Sequence, residues 1–234
     1  MKKTIIALLA LGGVTGAVDE LPTWTFSNGT AASGSNYVTT AGLQFSLSNT
    51  ATSYAATSSE VGADFPEIFS LETFTIAKCG QKVDTGVWGI LSETSTGVAV
   101  GAVHSGATTA NRAVTFDFSA SPVAVKADKA YTLTFIKAAS TVDLATEYGV
   151  TIGKAFLTDE VTLAATNKFI VYAVSDTETY SNDTNLRYSD AKVNGAFGAY
   201  TPAVSITAKA IPEPTTATLS LLALADLSTR RRRK

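Results

Sequence analysis

Apolar and polar side chains alternate along many short segments of this chain. In Ala113–Phe118, Val114 and Phe116 fall on one side of an extended strand, and Thr115 and Asp117 fall on the other. Tyr131–Ile136 repeats the pattern, with an aromatic or aliphatic residue at every second position and Thr between. A period of two with one apolar face predicts half-buried antiparallel β-strands.

Similar segments recur along the chain between short turn signals. The further predicted strands are Trp24–Phe26, Leu43–Leu47, Phe74–Ile76, Val87–Leu91, Val98–Val103, Val161–Leu163, Phe169–Val174, Leu186–Tyr188 and Val204–Ile206. The predicted turns are Asn28-Gly29, Ser95-Thr96-Gly97, Ser121-Pro122, Ala127-Asp128 and Asn194-Gly195. No long stretch shows an apolar stripe of helical period. We therefore expect one all-β domain, an antiparallel β-sandwich of jelly-roll type.

The first 17 residues have the three parts of a secretory signal peptide. Lys2 and Lys3 form the positive region, an apolar run follows, and small residues lead to a cleavage site at Ala17. The alternative is a buried N-terminal helix, which would have to contain both lysines and a Gly-Gly pair. We expect a signal helix over residues 1–17 and a mature body that begins at residue 18.

The last segment begins with Pro212-Glu213-Pro214, continues with an apolar run and ends in Arg230, Arg231, Arg232, Arg233 and Lys234. This order resembles the PEP-CTERM sorting signal of Gram-negative bacteria, which is also known as the ice-binding-protein C-terminal domain. The resemblance implies recognition by an exosortase, a membrane protease-transpeptidase that cuts near the Pro-Glu-Pro triplet. The terminal cations would form a membrane stop on the cytoplasmic side.

The two ends together predict export and sorting. Signal peptidase and an exosortase-type enzyme would act on the chain, which would contact the membrane transiently and then reach the cell surface, the outer membrane or the extracellular matrix. The short hydrophobic helix predicted from Thr216 to Thr229 has 14 residues. It would span about 21 Å, less than a hydrocarbon core of about 30 Å, and it contains Asp226. We expect a processed tail rather than a permanent anchor, with the body over 18–210 and the sorting segment over 211–234.

A second resemblance covers about a third of the chain, from Ile68 to Ala138. The segments FSLETFTIAK, VWGILSETSTGVAVGAV and AVTFDFSASPVAVKADKAYTLTFI resemble the middle of "choice-of-anchor" exported domains. Those domains are jelly-roll modules that precede PEP-CTERM signals. The resemblance implies a fold and a compartment, and it implies no catalytic activity.

Composition excludes several function classes. One Cys excludes a disulfide framework, and one His with one Cys excludes the usual zinc sites. Residues 18–211 carry 11 Lys or Arg and 18 Asp or Glu, a net charge of -7, so we expect no nucleic-acid partner. The 35 Thr and 21 Ser of the whole chain fit strands with one hydroxyl-bearing face.

The sequence offers few candidate catalytic groups. A Ser-His-Asp arrangement would have to use His104 with a serine such as Ser105 or Ser119, and no Gly-x-Ser-x-Gly elbow is present. We expect His104 to lie in a hairpin turn. We expect Cys79 to be a small packed side chain at the end of a strand, rather than an activated thiolate.

Carboxylates give no local catalytic motif. A sandwich-fold glycosidase needs two carboxylates about 5–9.5 Å apart, but the adjacent Asp159 and Glu160 would point to opposite faces of a strand. We expect no cofactor and no metal site, because the chain lacks the Asp-x-[Asp/Asn]-x-[Asp/Asn]-Gly spacing of a calcium-binding loop. Calcium is the cation that the loop from Asp176 to Asp190 suits best, although a solvated loop explains the same residues. The oxygen ligands in that loop would come from Asp176, Asn182, Asp183, Asn185 and Asp190.

Carbohydrate contact is the binding function that the residue types favour most. Sugars stack on aromatic rings, and Tyr180, Arg187 and Tyr188 supply aromatic and hydrogen-bonding groups around the acidic loop. Trp24 and Trp88 lie in alternating strands, where we expect them in the core. The sequence thus favours a non-enzymatic exported protein with a structural or adhesive role and contact to surface polysaccharide. The alternatives are a carbohydrate-binding module or an accessory of a glycan-degrading system, then a sandwich-fold glycosidase, and a matrix protein without a ligand.

Overall fold

The computed structural model describes residues 21–27, 37–47, 57–59, 64–127, 129–156, 169–172, 174–175, 186–187 and 200–211. Of these residues 54% lie in strands and 4% in a helix, and the strands form two main antiparallel sheets. The prediction of a mostly β protein is therefore confirmed. The predicted signal helix and C-terminal hydrophobic helix lie outside the described residues.

Fifteen strands and one short helix make up the described structure. In chain order the strands are β1 (Thr23–Ser27), β2 (Tyr37–Thr40), β3 (Gly42–Leu47), β4 (Thr57–Ser58), β5 (Ile68–Ile76), β6 (Val87–Glu93), β7 (Ala99–His104), β8 (Val114–Asp117), β9 (Val123–Lys126), β10 (Ala130–Lys137), β11 (Phe169–Tyr172), β12 (Val174–Ser175), β13 (Leu186–Arg187), β14 (Tyr200–Thr201) and β15 (Val204–Ala210). The helix α1 (Leu144–Tyr148) lies between β10 and β11.

Most of the strands belong to one or the other of two main sheets. The six-stranded sheet has the order β4-β1-β15-β5-β8, and β9 pairs with β5 beside β8. The five-stranded sheet has the order β13-β3-β10-β6-β7. Two further antiparallel pairs are β2 with β11 and β12 with β14. Consecutive strands often lie in different sheets, so most pairings join residues that are distant in the chain.

The inner faces of the two sheets pack directly on one another. Phe45 of β3 lies 5.3 Å, centroid to centroid, from Phe74 of β5. Phe116 of β8 stacks on Phe135 of β10 at 5.4 Å. All four rings are fully buried. Such aromatic burial is the main favourable term that holds the two layers together.

The outer face of the five-stranded sheet is also apolar. A second cluster of buried residues lies there, with Ile90 and Ile136 in the sheet and Val150 and Phe156 in the segment that follows α1. Trp88, which we expected in the core, is partly buried and packs against this second cluster. Trp24 is 4% exposed within the main core, as predicted.

The helix α1 begins and ends at residues with clear capping geometry. The Asp143 carboxylate accepts hydrogen bonds from the Ala145 and Thr146 backbone N–H groups at the N-terminus. Gly149 has φ 69° at the C-terminus, a left-handed conformation that Gly adopts at low cost. The sequence interpretation found no helix here, because five residues are too few to show a helical period.

The predicted strands that fall on described residues are present, and the largest difference is at β5, which begins at Ile68 rather than Phe74. Val98–Val103 is observed as Ala99–His104, and Phe169–Val174 is divided into β11 and β12. Strands β2, β4, β9 and β14 were not predicted. The predicted strand Val161–Leu163 lies outside the described residues. Within the part of the chain that the structure describes, no helix has the length and apolar character needed to cross a membrane.

Candidate functional site

Most residues singled out by the sequence lie outside the described residues. They are Ala17, Asp159, Glu160, Tyr180, Tyr188, Pro212, Glu213, Pro214, Arg230, Arg231, Arg232, Arg233, Lys234 and the Asp176 to Asp190 loop other than β13. Of the three predicted glycan-contact residues the structure describes Arg187, whose backbone pairs with Ser46 at the edge of the five-stranded sheet. The predicted glycan contact at Tyr180, Arg187 and Tyr188 and the calcium alternative for this loop remain predictions.

The imidazole of His104 is held by backbone groups on both sides. His104 is the last residue of β7, so the prediction that it lies in a hairpin turn is wrong by one position. Its Nε2 lies 3.0 Å from the Ala138 carbonyl oxygen, and its Nδ1 accepts a hydrogen bond from the Gly106 N–H at 3.1 Å. A carbonyl can only accept, so Nε2 carries the proton and Nδ1 does not. Both nitrogens are therefore used in joining the end of β7 to the segment after β10.

Each of the two candidate serines forms hydrogen bonds with residues close to it in the structure. The Ser105 hydroxyl donates to the Gly106 carbonyl at 2.9 Å and accepts from the Val87 N–H at 3.2 Å. The Ser119 backbone N–H donates to the Asp117 carboxylate at 2.9 Å in an exposed turn. Neither serine is hydrogen-bonded to His104, so the structure does not bring the proposed nucleophile and base together.

Described carboxylates with shifted pKa values act as structural acceptors. The Lys129 ammonium, 2.8 Å from Glu93, holds the pKa of Glu93 below its usual range. Hydrogen bonds from Ser119 lower the pKa of Asp117, and hydrogen bonds from Thr146 lower that of Asp143. A glycosidase general acid needs a raised pKa instead. Among the residues that the structure describes, no group of three His, Cys, Asp or Glu side chains could hold a metal ion.

The outer face of the six-stranded sheet carries a regular set of small hydroxyl side chains. Thr25 of β1 lies opposite Thr207 of β15, which lies opposite Thr73 of β5. In the next row Thr75 of β5 lies opposite Thr115 of β8, and their hydroxyl oxygens are 2.9 Å apart. The remaining hydroxyl residues at outward positions of these strands are Thr23, Ser27, Ser70 and Ser205. We call this surface the hydroxyl face; it confirms the expected Thr-rich side of the strands.

Three segments meet at one corner of the molecule around the buried thiol of Cys79. The Cys79 N–H donates to the Arg112 carbonyl at 2.8 Å, and the Asn111 N–H donates to the Cys79 carbonyl at 2.9 Å. The Tyr172 N–H donates to the Lys78 carbonyl at 3.1 Å. The chain just beyond β5, the turn before β8 and strand β11 are thereby fixed to one another. Cys79 is fully buried, as expected for a packed side chain.

These backbone hydrogen bonds bring together four residues that we call the corner cluster: Lys78, Asn111, Arg112 and Tyr172. The Lys78 ammonium lies 4.3 Å from the centroid of the Tyr172 ring, a cation–π contact. The Tyr172 hydroxyl donates to the Asn111 side-chain carbonyl oxygen. Asn111 has φ 64°, and both it and Arg112 are exposed. Sequence reasoning missed this cluster because its members come from three distant segments that share no motif.

The chain enters and leaves the body at the end opposite the corner cluster. Thr23 at the start of β1 pairs with Lys209 near the end of β15, and the Ala210 N–H donates to the Pro22 carbonyl at 2.9 Å. At the same end Ile68 begins β5, and its carbonyl accepts from the Ile211 N–H at 2.9 Å. The corner cluster follows the other end of β5. About ten residues of extended chain separate the two ends, or roughly 30 Å.

Comparisons with protein-family models, with curated proteins and with solved structures found no match.

Proposed function

We propose that this chain is an exported, non-enzymatic protein of the cell surface or extracellular matrix, with a structural or adhesive role. The observation that carries the proposal is the position of the two predicted cleavage sites relative to the fold. Cleavage after Ala17 would precede β1, which begins at Thr23, and cleavage near Pro212 would follow β15, which ends at Ala210. Both cleavages would therefore leave every described strand in the mature chain.

The neighbouring entry and exit points also fit a body that is tethered at one end. Because Thr23 and Lys209 are paired, the leader and the sorting tail depart from the same end of the six-stranded sheet. A body attached through either segment would present the same end to the membrane. The other end, with the corner cluster, would face away from it.

The strand order supports the finer proposal of a jelly roll. Setting aside the short edge strands, one sheet reads β1-β15-β5-β8 with β9 beside β8, and the other reads β3-β10-β6-β7. Strands β8 and β9 both pair with β5, one after the other along its length, and together occupy one strand position. Two sheets of four strand positions whose strands alternate in this way are the arrangement of two interleaved Greek keys. This is also the fold that the resemblance to choice-of-anchor domains implies.

A change in the Pro-Glu-Pro triplet tests the sorting role. The full chain would be produced in a bacterium that has an exosortase, beside a variant in which Pro212, Glu213 and Pro214 are all replaced by Ala. We expect the wild-type chain at the surface or in the medium, and the variant retained in the inner-membrane fraction. A Ser228→Ala/Thr229→Ala control should behave as wild type. Equal distribution of all three would contradict the proposal.

Carbohydrate binding is the second candidate function, either as a module or as an accessory of a glycan-degrading system. The corner cluster favours it, because an aromatic ring, an amide and two cations are the groups that bind sugars. A glycan array probed with and without millimolar calcium tests it, together with Tyr180→Ala and Tyr188→Ala. Binding that either substitution abolishes would locate the site in the predicted acidic loop. Unchanged binding would exclude that loop.

A further inference from the structure

The last strand of the body is held on both edges up to the residue before the Pro-Glu-Pro triplet. β15 lies between β1 and β5 in the six-stranded sheet. On one side the Ala210 N–H donates to the Pro22 carbonyl at 2.9 Å, and on the other the Ile211 N–H donates to the Ile68 carbonyl at 2.9 Å. Ala210 is 8% exposed and belongs to the main core. The chain up to Ile211 therefore leaves the sheet only by breaking bonds to two neighbours and exposing core surface.

Three prolines end the sheet at this point. β1 begins directly after Pro22, β5 begins two residues after Pro66, and β15 ends two residues before Pro212. Proline has no N–H to donate, so ladder pairing stops at such positions. The N–H groups that face one neighbour alternate along a strand, so Pro212 occupies the next donor position toward β1 after Ala210. Pairing between β15 and β1 therefore cannot continue into the triplet.

A protease encloses an extended segment on both sides of the bond that it cuts. The reacting atoms must come within about 3.5 Å of each other, and a membrane enzyme builds its cleft from helices about 10 Å across. The cut bond must therefore lie about 10 Å beyond the folded body, which is about three residues of extended chain. Counted from Ile211, the first such bond joins Pro214 to Thr215.

The apolar run of the tail sets the other limit. It begins at Ala217 and would lie in the membrane during sorting, so the cut must precede it. Residues 212–216 separate Ile211 from this run, and they span about 17 Å when fully extended. The bonds open to the enzyme are then those between residues 214 and 217.

We propose that the folded body determines where the sorting enzyme cuts, at a bond between Pro214 and Ala217 and not before or within the triplet. The inference deepens the processing step of the proposed function and rests on it. In the cut the peptide C–N bond breaks, and the acyl group passes to water or to an acceptor amine. The nitrogen of the released tail takes a proton from that acceptor. The mature chain would keep Pro-Glu-Pro at its C-terminus.

Limited proteolysis of the full chain tests the shielding without any sorting enzyme. Proteinase K cuts most peptide bonds, so intact-mass spectrometry of the native digest should show a C-terminus no nearer to the body than Pro214. In urea above the unfolding midpoint, the same digestion should continue past Ile211. A native product that ends at or before Ile211 would overturn the inference.

A proline-free variant separates shielding by the fold from the resistance of proline bonds. Native Pro212→Ala/Pro214→Ala should be trimmed to the same residue as the wild-type chain, or should stop further from the body. Trimming of this variant to Ile211 would show that the prolines, and not the folded body, stop the protease. That result would overturn the inference.

The length of the segment between body and membrane tests the same idea in a bacterium that has an exosortase. Deletion of Thr215 and Thr216 leaves about 10 Å of extended chain, and the variant should stay uncut. Insertion of two serines after Ile211 into that variant restores the length and should restore the cut. Thr215→Ala/Thr216→Ala, the matched control, should be cut as the wild type is. An insertion that fails to restore the cut would overturn the role of the body.

The mass of the wild-type product separates failure of this inference from failure of the proposed function. A C-terminus at Pro214, Thr215 or Thr216 is the expected result. An exported chain that ends before Pro214 would overturn this inference and leave the proposed function. A chain that is neither exported nor cut, although its native digest stops beyond Ile211, would overturn the proposed function instead.

Discussion

Gly89 of β6 makes room for the stacked rings at the centre of the molecule. It lies opposite Phe135 on the neighbouring strand, and Phe116 of the other sheet stacks on that ring. A Cβ added at Gly89 would lie 2.5 Å from Cδ1 and 2.9 Å from Cε1 of Phe116. Contacts this short require the buried ring to move. Gly89→Ala should therefore lower the free energy of unfolding by about 1–3 kcal/mol, the usual cost of overpacking.

The sign of the change in the free energy of unfolding shows whether the space beside Gly89 is filled or empty. Where the added methyl meets no neighbour, Gly→Ala instead stabilises a protein by about 0.4–1 kcal/mol through the unfolded state. Urea unfolding of the full chain, followed by circular dichroism, measures the difference. Phe116→Leu should relieve the clash, so the double variant should lose less stability than the sum of the single changes, by about 0.5 kcal/mol or more. A stabilising Gly89→Ala, or additive free energies, would refute the packing of the two sheets at this point.

Three smaller predictions concern single side chains. The Cys79 thiol should be inert to an aromatic disulfide reagent in the native protein and should react fully in denaturant; rapid native labelling would contradict its burial. Nitrogen NMR should show His104 as the Nε2–H tautomer, and a mixture of tautomers would contradict its two backbone contacts. The lowered pKa of Asp143, caused first by the Thr146 hydroxyl, means that the cap contributes fully above its ordinary pKa of 3.8 and is lost as pH falls through the native value. Asp143→Asn should therefore reduce the loss of stability below about pH 4, in unfolding measured across pH.

Alternation of side chains predicted the strands well because most of them have one buried face. Val114 and Phe116 point into the core while Thr115 and Asp117 are exposed, as their spacing indicates. Alternation cannot tell which face is the core when both faces are covered. Trp88 lies on such a strand, and its indole N–H donates to the Ala139 carbonyl at 3.0 Å on the outer side.

The sequence pattern could not predict which distant strands pair with one another. The corner cluster joins Lys78, Asn111 and Tyr172, which are separated by dozens of residues and share no spacing. Only the strand order and the hydrogen bonds of Cys79 bring them together. The capping residues of α1 were visible in the sequence, but a five-residue helix has too few positions to show an amphipathic pattern.

The mass of the exported protein tests the central proposal most directly. Intact-mass spectrometry would be applied to the form recovered from the surface or the medium of a bacterium with an exosortase. We predict a chain that begins after Ala17 and ends near the Pro212-Glu213-Pro214 triplet, with all described strands retained. A full-length chain from Met1 to Lys234, recovered only inside the cell, would contradict both the export and the processing.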